Sequence, residues 1–421
     1  MNRTLYTLLL YLLLPLTPLK LLWRGRKQAE YLAHWQERYG FYRLPVQPQL
    51  IWLHCVSVGE TRAAEPLVNA LIMQYPQHQI LLSHTTPTGR ATSQQLFSDR
   101  VQSVYLPYDV PFAVKRFLNY FRPNIGIIME TELWFNLIAA CKQEKIPLLL
   151  ANARLSEQSA LGYAKLGKLA RQGLKNLTAI AAQTVQDAER LQQLGANRIS
   201  VMGNLKFDVA PPAHAASLGL QLRNTIAKNR PVFLAASTRD GEESLILDAI
   251  EKANIPNLLT IIVPRHPQRF DAVADLLCKR KCHFIRRSQL DASSAVVPEI
   301  DYVLGDSMGE MFTYYASCDI AFIGGSLLPL GGQNLIEAFS MGKPVLIGMH
   351  TFNFEQITDM AIAAGAALRV QNNIDLAQQL SALFIDTEKR AVMAQAASKF
   401  SQQNQGATKR ALALVMQHIN I

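Results

Sequence analysis

The stretch "CDIAFIGGSLLPLGGQNLIEAFSMGKPVLIG", residues 318–348, decides the fold. It opens on an apolar run, passes two glycine pairs, continues through a short amphipathic segment and closes on a second apolar run after a tight turn. Short apolar runs without alternation mark strands buried on both faces. Two of them joined through a loop and a helix make a β-α-β unit with parallel strands. Gly324, Gly325, Gly331 and Gly332 let the backbone approach a ligand closely. The helix that follows would offer its N-terminal amides to an anion. Glu337, read as one turn into that helix, is placed to accept hydrogen bonds from a ribose diol. The plain alternative is a glycine-rich turn with a solvated glutamate.

The same pattern extends in both directions. Around the opening stretch, strands are expected at 232–236, 258–263, 283–286, 302–304, 320–323 and 344–347. The first half shows seven more, at 50–56, 79–83, 101–106, 125–129, 147–151, 179–182 and 199–202, with amphipathic helices such as 111–121 and 187–194 between them. Strands alternating with helices build parallel α/β architecture. "DVAPPAHAASLGL", residues 208–220, interrupts the series with two prolines and small residues. The expected fold is therefore α/β, with two Rossmann-like doubly wound domains facing a cleft. The boundaries read as 24–208 for the first domain, 209–229 for a linker and 230–421 for the second. Helices after Asp375 finish the second domain or pack back on the first.

Composition agrees with two domains. The 421 residues suffice for two cores, with 49% hydrophobic and 18% charged residues. A net charge of +10 favours an anionic partner: nucleic acid, phospholipid head groups or a phosphorylated substrate. Cys55, Cys141, Cys278, Cys282 and Cys318 are scattered without a paired CxxC, so neither a disulfide framework nor a zinc site is indicated. A reducing compartment follows.

Residues 1–23 read as an N-terminal membrane anchor. "TLYTLLLYLLLPLTPLKLLW", residues 4–23, is a borderline transmembrane helix broken by Pro15 and Pro18. No small-x-small cleavage site follows it. Arg24, Arg26 and Lys27 outweigh Arg3, which by the positive-inside rule puts the body on the cytoplasmic side. The alternative is a helix lying in the membrane interface.

Several strand-end loops hold reactive side chains. In "HCVSVGE", Ser57 and Glu60 fit the S-x-x-E capping box, yet the carboxylate also stands where α/β proteins place ligands. "METELW" sets Glu130 and Glu132 just past another strand, close enough to raise one another's pKa. Lys206, in "GNLKFD", also follows a strand. In the second half, Arg265 and His266 of "VPRHPQRF" suit a phosphate or a base edge. His266 has no partner at metal-ligand spacing, and no metal is expected. "LGDSMGEMFTYY" brings Gly305, Gly309 and Glu310 to a strand end. "AASTRDGEESLIL" brings the hydroxyls of Ser237 and Thr238, with Asp240 and Glu243 as a capping box.

Taken in order, "HCVSVGE", "METELWFN", "GNLKFD", "PRHPQRF", "GDSMGEM" and "GGQNLIE", behind the apolar N-terminus, closely resemble the 3-deoxy-D-manno-octulosonic acid (Kdo) transferases of lipopolysaccharide synthesis. The resemblance covers nearly the whole chain. It implies the B-type glycosyltransferase fold, with an acceptor domain first and a donor nucleotide domain second. It further implies CMP-Kdo as donor, the phosphorylated, acylated glucosamine disaccharide of the lipid A precursor (lipid IVA) as acceptor, and an inverting reaction at the bacterial inner membrane beside a phospholipid surface. Glu60 would be the base, with Glu130 and Lys206 assisting the transition state. Ser237, Pro264, Arg265, His266, Gly309, Glu310, Met311, Asn334, Leu335, Ile336 and Glu337 would bind the nucleotide. No cofactor is expected beyond the donor substrate.

An inverting transfer needs a base to take the acceptor proton as the sugar bond forms, so with the resemblance the base reading of Glu60 outweighs the cap, and one residue can partly serve both. Two positions depart from the family pattern: Arg239 and Gln333 stand where the family commonly has histidine, which puts a general-acid role at 239 in doubt. The runner-up function is a B-type glycosyltransferase using a UDP-sugar on another membrane lipid. A nucleic-acid-binding module is disfavoured, because no basic stripe with interleaved aromatics occurs. A dinucleotide oxidoreductase is weaker still, since no strand is followed by G-x-G-x-x-G.

Overall fold

The structure, a computed structural model, describes residues 1–290 and 300–419. Seven strands form in the first half: β1 Leu50–His54, β2 Gln79–His84, β3 Gln102–Tyr105, β4 Ile125–Met129, β5 Leu148–Ala153, β6 Ala179–Ala182 and β7 Ile199–Val201. They pair in parallel in the order β3-β2-β1-β4-β5-β6-β7. Every residue of β1 is buried, which is why its sequence is an unbroken apolar run. Trp52 and Leu150 point into one layer with Phe117 and Phe121. Ile51, Leu53 and Ile127 point into the other with Leu67 and Leu71. Ser57, Thr86 and Thr184 cap the helices that follow β1, β2 and β6.

The second half repeats the plan with β8 Val232–Thr238, β9 Leu259–Pro264, β10 Phe284–Arg286, β11 Tyr302–Leu304, β12 Ile320–Ile323, β13 Val345–Ile347 and β14 Ala367–Arg369. Their order is β10-β11-β9-β8-β12-β13-β14, again all parallel. The strand β14 was not expected from sequence. Its three residues end on the charged Arg369, so no apolar run marks them, and pairing with β13 makes them a strand.

The chain divides into one unit of Met1–Asp208 with Gln405–Ile421 and a second of Val209–Asn404. The break at 208 falls where expected, whereas the second unit starts at 209 rather than 230 and stops at 404 rather than 421. The helix Ala407–His418 belongs to the first unit, where Ala407, Ala411 and Val415 enter the same layer as Leu67 and Leu71. Asp208 accepts the amides of Gly406 and Thr408 and so holds the start of that helix. The stretch expected as linker, 209–229, holds a helix of the second unit, Ala215–Ile226. The small residues read as loop-forming serve close packing instead: a Cβ on Gly219 would lie 2.1 Å from that of Ala316. Arg223 bonds the Ser317 carbonyl at 2.8 Å and Asp319 at 3.0 Å.

The helical N-terminus, Arg3–Lys27, is long and apolar enough to cross a membrane. It is not free of its own unit, however. Tyr6 donates to the buried Asp109 at 2.8 Å, Thr7 donates to Asn136 at 2.9 Å, and Thr17 meets Tyr39 at 2.7 Å. A 3-10 turn at Leu14–Leu16 accommodates Pro15. Leu8, Leu12, Leu19 and Trp23 face away from the unit and are exposed.

Candidate active site

In an open parallel sheet, ligands bind beyond the carboxyl ends of the strands where the strand order reverses. The first sheet reverses between β1 and β4. Glu60 lies in the first turn after β1, and Glu130 is the first residue after β4. Both glutamates singled out in the sequence therefore stand at the switch point.

Glu60 is buried. One carboxylate oxygen accepts the Val56 amide at 2.8 Å and the other the Ser57 hydroxyl at 3.1 Å. The return bond, from the Glu60 amide to the Ser57 hydroxyl, is long at 3.5 Å. Ser57 therefore caps the helix, but the carboxylate reaches the Val56 amide, one residue before the cap, instead of the Ser57 amide that would close a capping box. Burial pushes the Glu60 pKa from 4.5 up to about 8; the Val56 and Ser57 hydrogen bonds oppose the rise, while the charges of Glu130 and Glu132 add to it. A helix cap gains nothing from such a shift, whereas a residue that must take up a proton near neutral pH does.

Glu130 is half-buried and has a left-handed backbone (φ +55°), which bends the chain sharply out of β4 while its amide still bonds the Ala151 carbonyl at 2.9 Å. Burial, and then the charge of Glu130, raise the pKa of Glu132. Lys206 comes to the same place from the loop after β7. Burial lowers its pKa, Glu130 and Glu60 pull it back up, and Arg154 lowers it further. Glu60, Glu130 and Lys206, expected to act together, are therefore electrostatic neighbours.

Sequence reading missed what holds Lys206 there. Asn152 interrupts the apolar run of β5 with a left-handed backbone (φ +54°), and is wholly buried. Its side chain accepts the Leu205 amide at 3.1 Å, and its carbonyl accepts from Gln183 at 3.0 Å. Gln183 in turn accepts from Asn204 at 2.9 Å, and Asn204 accepts the Lys206 amide at 3.0 Å. The available signal was an asparagine inside "LLLANAR", because a buried amide in a strand needs partners. Arg154, two residues further on, is an exposed cation whose charge is felt by Lys206.

In the second unit the order reverses between β8 and β12. Ser237, half-buried with φ +55°, is the second-last residue of β8, and the glycine loop follows β12. Pro264 ends β9, and Arg265 bonds Gln333 at 3.1 Å. His266 is exposed; burial and the guanidinium groups of Arg239, Arg265 and Arg269 lower its pKa, so it sits in a positive field. Gly309 adopts φ +82° ahead of Glu310, which pairs with Arg287 at 2.8 Å and caps nothing, while Met311 opens the helix Met311–Ser317. Asn334 donates to Glu337 at 2.9 Å. Leu335 and Ile336 are buried in the core, so only their backbone can face a ligand.

Two expectations about the glycine loop need correcting. The helix after it, Ile336–Ser340, has only five residues, and Glu337 is its second rather than one turn in. Asn334 accepts the Ile336 amide, and the buried Glu242 accepts those of Gly325, Ser326 and Leu327, so these amides are already engaged. The capping reading of Asp240 and Glu243 also gives way: Asp240 and Glu243 share Arg269, and Glu243 accepts from Thr238. The two positions that depart from the family pattern meet in space, since a Cβ on Gly325 would lie 3.1 Å from Gln333 and 3.5 Å from Arg239. Among the described residues no group of three His, Cys, Asp or Glu could hold a metal ion.

Residues 33–209 match the family model described as 3-Deoxy-D-manno-octulosonic-acid transferase (kdotransferase). The chain is similar over 98% of its length to the 3-deoxy-D-manno-octulosonic acid transferase of Bordetella pertussis, at 42% identity and 98% coverage of that protein. It is similar over its full length to the enzyme of the same name from Haemophilus influenzae, at 39% identity and 99% coverage. Among solved structures, a glycosyltransferase from Rickettsia africae superposes on 88% of this chain and 98% of its own, with a TM-score of 0.57 at 14% identity, a likeness of fold.

Proposed function

The chain belongs to the 3-deoxy-D-manno-octulosonic acid (Kdo) transferase family and is a glycosyltransferase with two parallel-sheet α/β domains; from that premise we propose that it moves Kdo from CMP-Kdo to the lipid A precursor with inversion. The observation that supports this most is the placement of Glu60 at the β1/β4 switch point, beside Glu130, Glu132 and Lys206.

In the proposed reaction a hydroxyl oxygen of the acceptor attacks the anomeric carbon of Kdo. The bond from that carbon to the phosphate oxygen breaks, and CMP leaves with the electron pair. Ionised Glu60 takes the hydroxyl proton as the new bond forms. Its Val56 and Ser57 bonds fix the direction of the carboxylate. Lys206 lends positive charge to the donor carboxylate or the leaving phosphate, and Glu130 keeps that lysine protonated in a partly buried place. The second unit holds the nucleotide, with Glu337 on the ribose and the Arg265 loop on the phosphate or base.

The N-terminal helix is the membrane anchor. Its polar residues Tyr6 and Thr7 bond the first unit while its leucines turn outward, which suits a helix lying along the inner leaflet, with Arg24, Arg26 and Lys27 favouring anionic lipid on the cytoplasmic side. The deciding experiment is incubation with CMP-Kdo and lipid A precursor, with products identified by mass and CMP binding compared with UMP and UDP. An enzyme that leaves CMP-Kdo intact and prefers UDP ends the proposal in favour of a UDP-sugar donor.

A further inference from the structure

We infer that Glu242 is a positioning residue of the donor site: its carboxylate is an internal anion around which the glycine loop after β12 is folded. The inference rests on the reading of the second unit as the donor-binding one.

Glu242 opens the helix Glu242–Ala253, which follows β8 on the opposite side of the β8/β12 switch point from the glycine loop. Its side chain is wholly buried. One oxygen accepts the amides of Arg239 at 2.9 Å and Gly325 at 2.5 Å. The other accepts those of Ser326 at 2.9 Å and Leu327 at 3.0 Å. A helix cap satisfies one or two amides of its own first turn. Here three of the four donors belong to a loop more than eighty residues away.

Successive backbone amides turned into one concavity are how proteins hold phosphates and other anions. In this unit the anion is part of the chain. Gly325 takes φ +71° to make the turn, and a Cβ on Gly324 would come within 2.5 Å of the Ser237 carbonyl oxygen. The loop is then closed by Gly332 donating to the Gly325 carbonyl at 2.7 Å, and by Gly348 donating to the Ser326 hydroxyl at 2.8 Å. With these amides committed inward, a donor phosphate meets the loop from its other side, where Arg239 and Gln333 lie against Gly325. Glu242 itself touches no substrate. Its charge decides where the loop that does so stands.

The test uses the full chain and four measurements on each variant: melting temperature, CMP affinity by calorimetry, and KM and kcat with CMP-Kdo. Glu242→Ala leaves the amides around an empty space. CMP affinity should fall roughly tenfold to a hundredfold, with donor KM rising in step and kcat changing less. Added formate, small enough to sit among the amides, should restore most of the affinity of Glu242→Ala and do nothing for the wild type. Glu242→Gln keeps the volume but turns an NH2 group towards donors, so it should bind CMP weakly and ignore formate. If Glu242→Ala does not fold, Glu242→Gln carries the test alone through its CMP affinity and donor KM. Wild-type CMP affinity in either folded variant overturns the inference. So does a loss in Glu242→Ala that formate leaves unchanged, because a residue that merely stiffens the fold predicts that result. Failure of the wild type to bind CMP is a different outcome and sinks the donor-site reading instead.

Discussion

Replacing Glu60 by Gln separates its capping contacts from the proposed proton transfer, because an amide keeps the hydrogen-bonding positions but is not basic. The capping role consists of accepting the Val56 amide at 2.8 Å and meeting the Ser57 hydroxyl at 3.1 Å. A glutamine oxygen still accepts the first, and its NH2 group donates to the second once the hydroxyl rotates. Loss of a whole cap costs about 1 kcal/mol, and here most of it is kept. For a unit of this size even that full loss lowers Tm by only about 2–4 °C. The proton-accepting role, by contrast, disappears completely, which for a general base means a rate lower by about 10² to 10⁴. Melting temperature, CMP affinity and the rate of Kdo transfer should be measured on one preparation. The expected result is a near-native melting temperature and CMP affinity with transfer slowed at least about a hundredfold. Near-native transfer would refute the assignment of the base, whatever the melting curve showed.

The remaining predictions concern charge, donor and anchor. Because Glu60 must be ionised to act and its pKa lies near 8, kcat/KM should rise with pH through about 8; Glu132→Gln removes a charge that raises this value, so the rise should move to lower pH. A carboxyl whose folded-state pKa is raised stabilises the fold fully below its unfolded value of 4.5, and that contribution is lost as pH rises through about 8, so Glu60→Gln should lose less melting temperature than wild type between pH 6 and 9. Glu337→Ala should weaken CMP binding by roughly 1.5–3 kcal/mol in calorimetry, and unchanged affinity in a folded variant removes Glu337 from the nucleotide site. Tyr6→Phe keeps the ring against Phe135 but loses the bond to Asp109; it should cost about 1 kcal/mol of stability in the first unit, whereas a helix that leaves the unit to span the bilayer predicts no change.

Much of the fold was legible in the chain because its signals are local. The strands β4, β6, β11 and β12 fall where their apolar runs stand, and the helix Pro111–Phe121 where its amphipathic pattern stands. Runs such as "LIWLH" and "IAFI" have no polar alternation because helices cover both faces of a parallel sheet. The Ser57 cap and the glycine pairs were equally plain, since caps and tight turns depend on three or four consecutive residues.

What the sequence by itself determined, then, is where thirteen of the fourteen strands lie, their ends to within a residue or two, and which side chains stand near those ends. Only the tertiary structure decided which of those side chains come together. The β1/β4 reversal brings Glu60 beside Glu130, seventy positions on, and burial there raises the Glu60 carboxyl to about 8; neither effect has a local signature. Likewise Glu242 reads in sequence as one more acid at a helix start, yet folding turns three amides of a distant loop onto it. The last helix went to the first unit because Ala411 and Val415 fill space beside Leu67 and Leu71, a fit set by volume. Periodicity records how a segment meets water and core. Charge, solvation and packing belong to neighbours that are distant along the chain and adjacent only once it has folded.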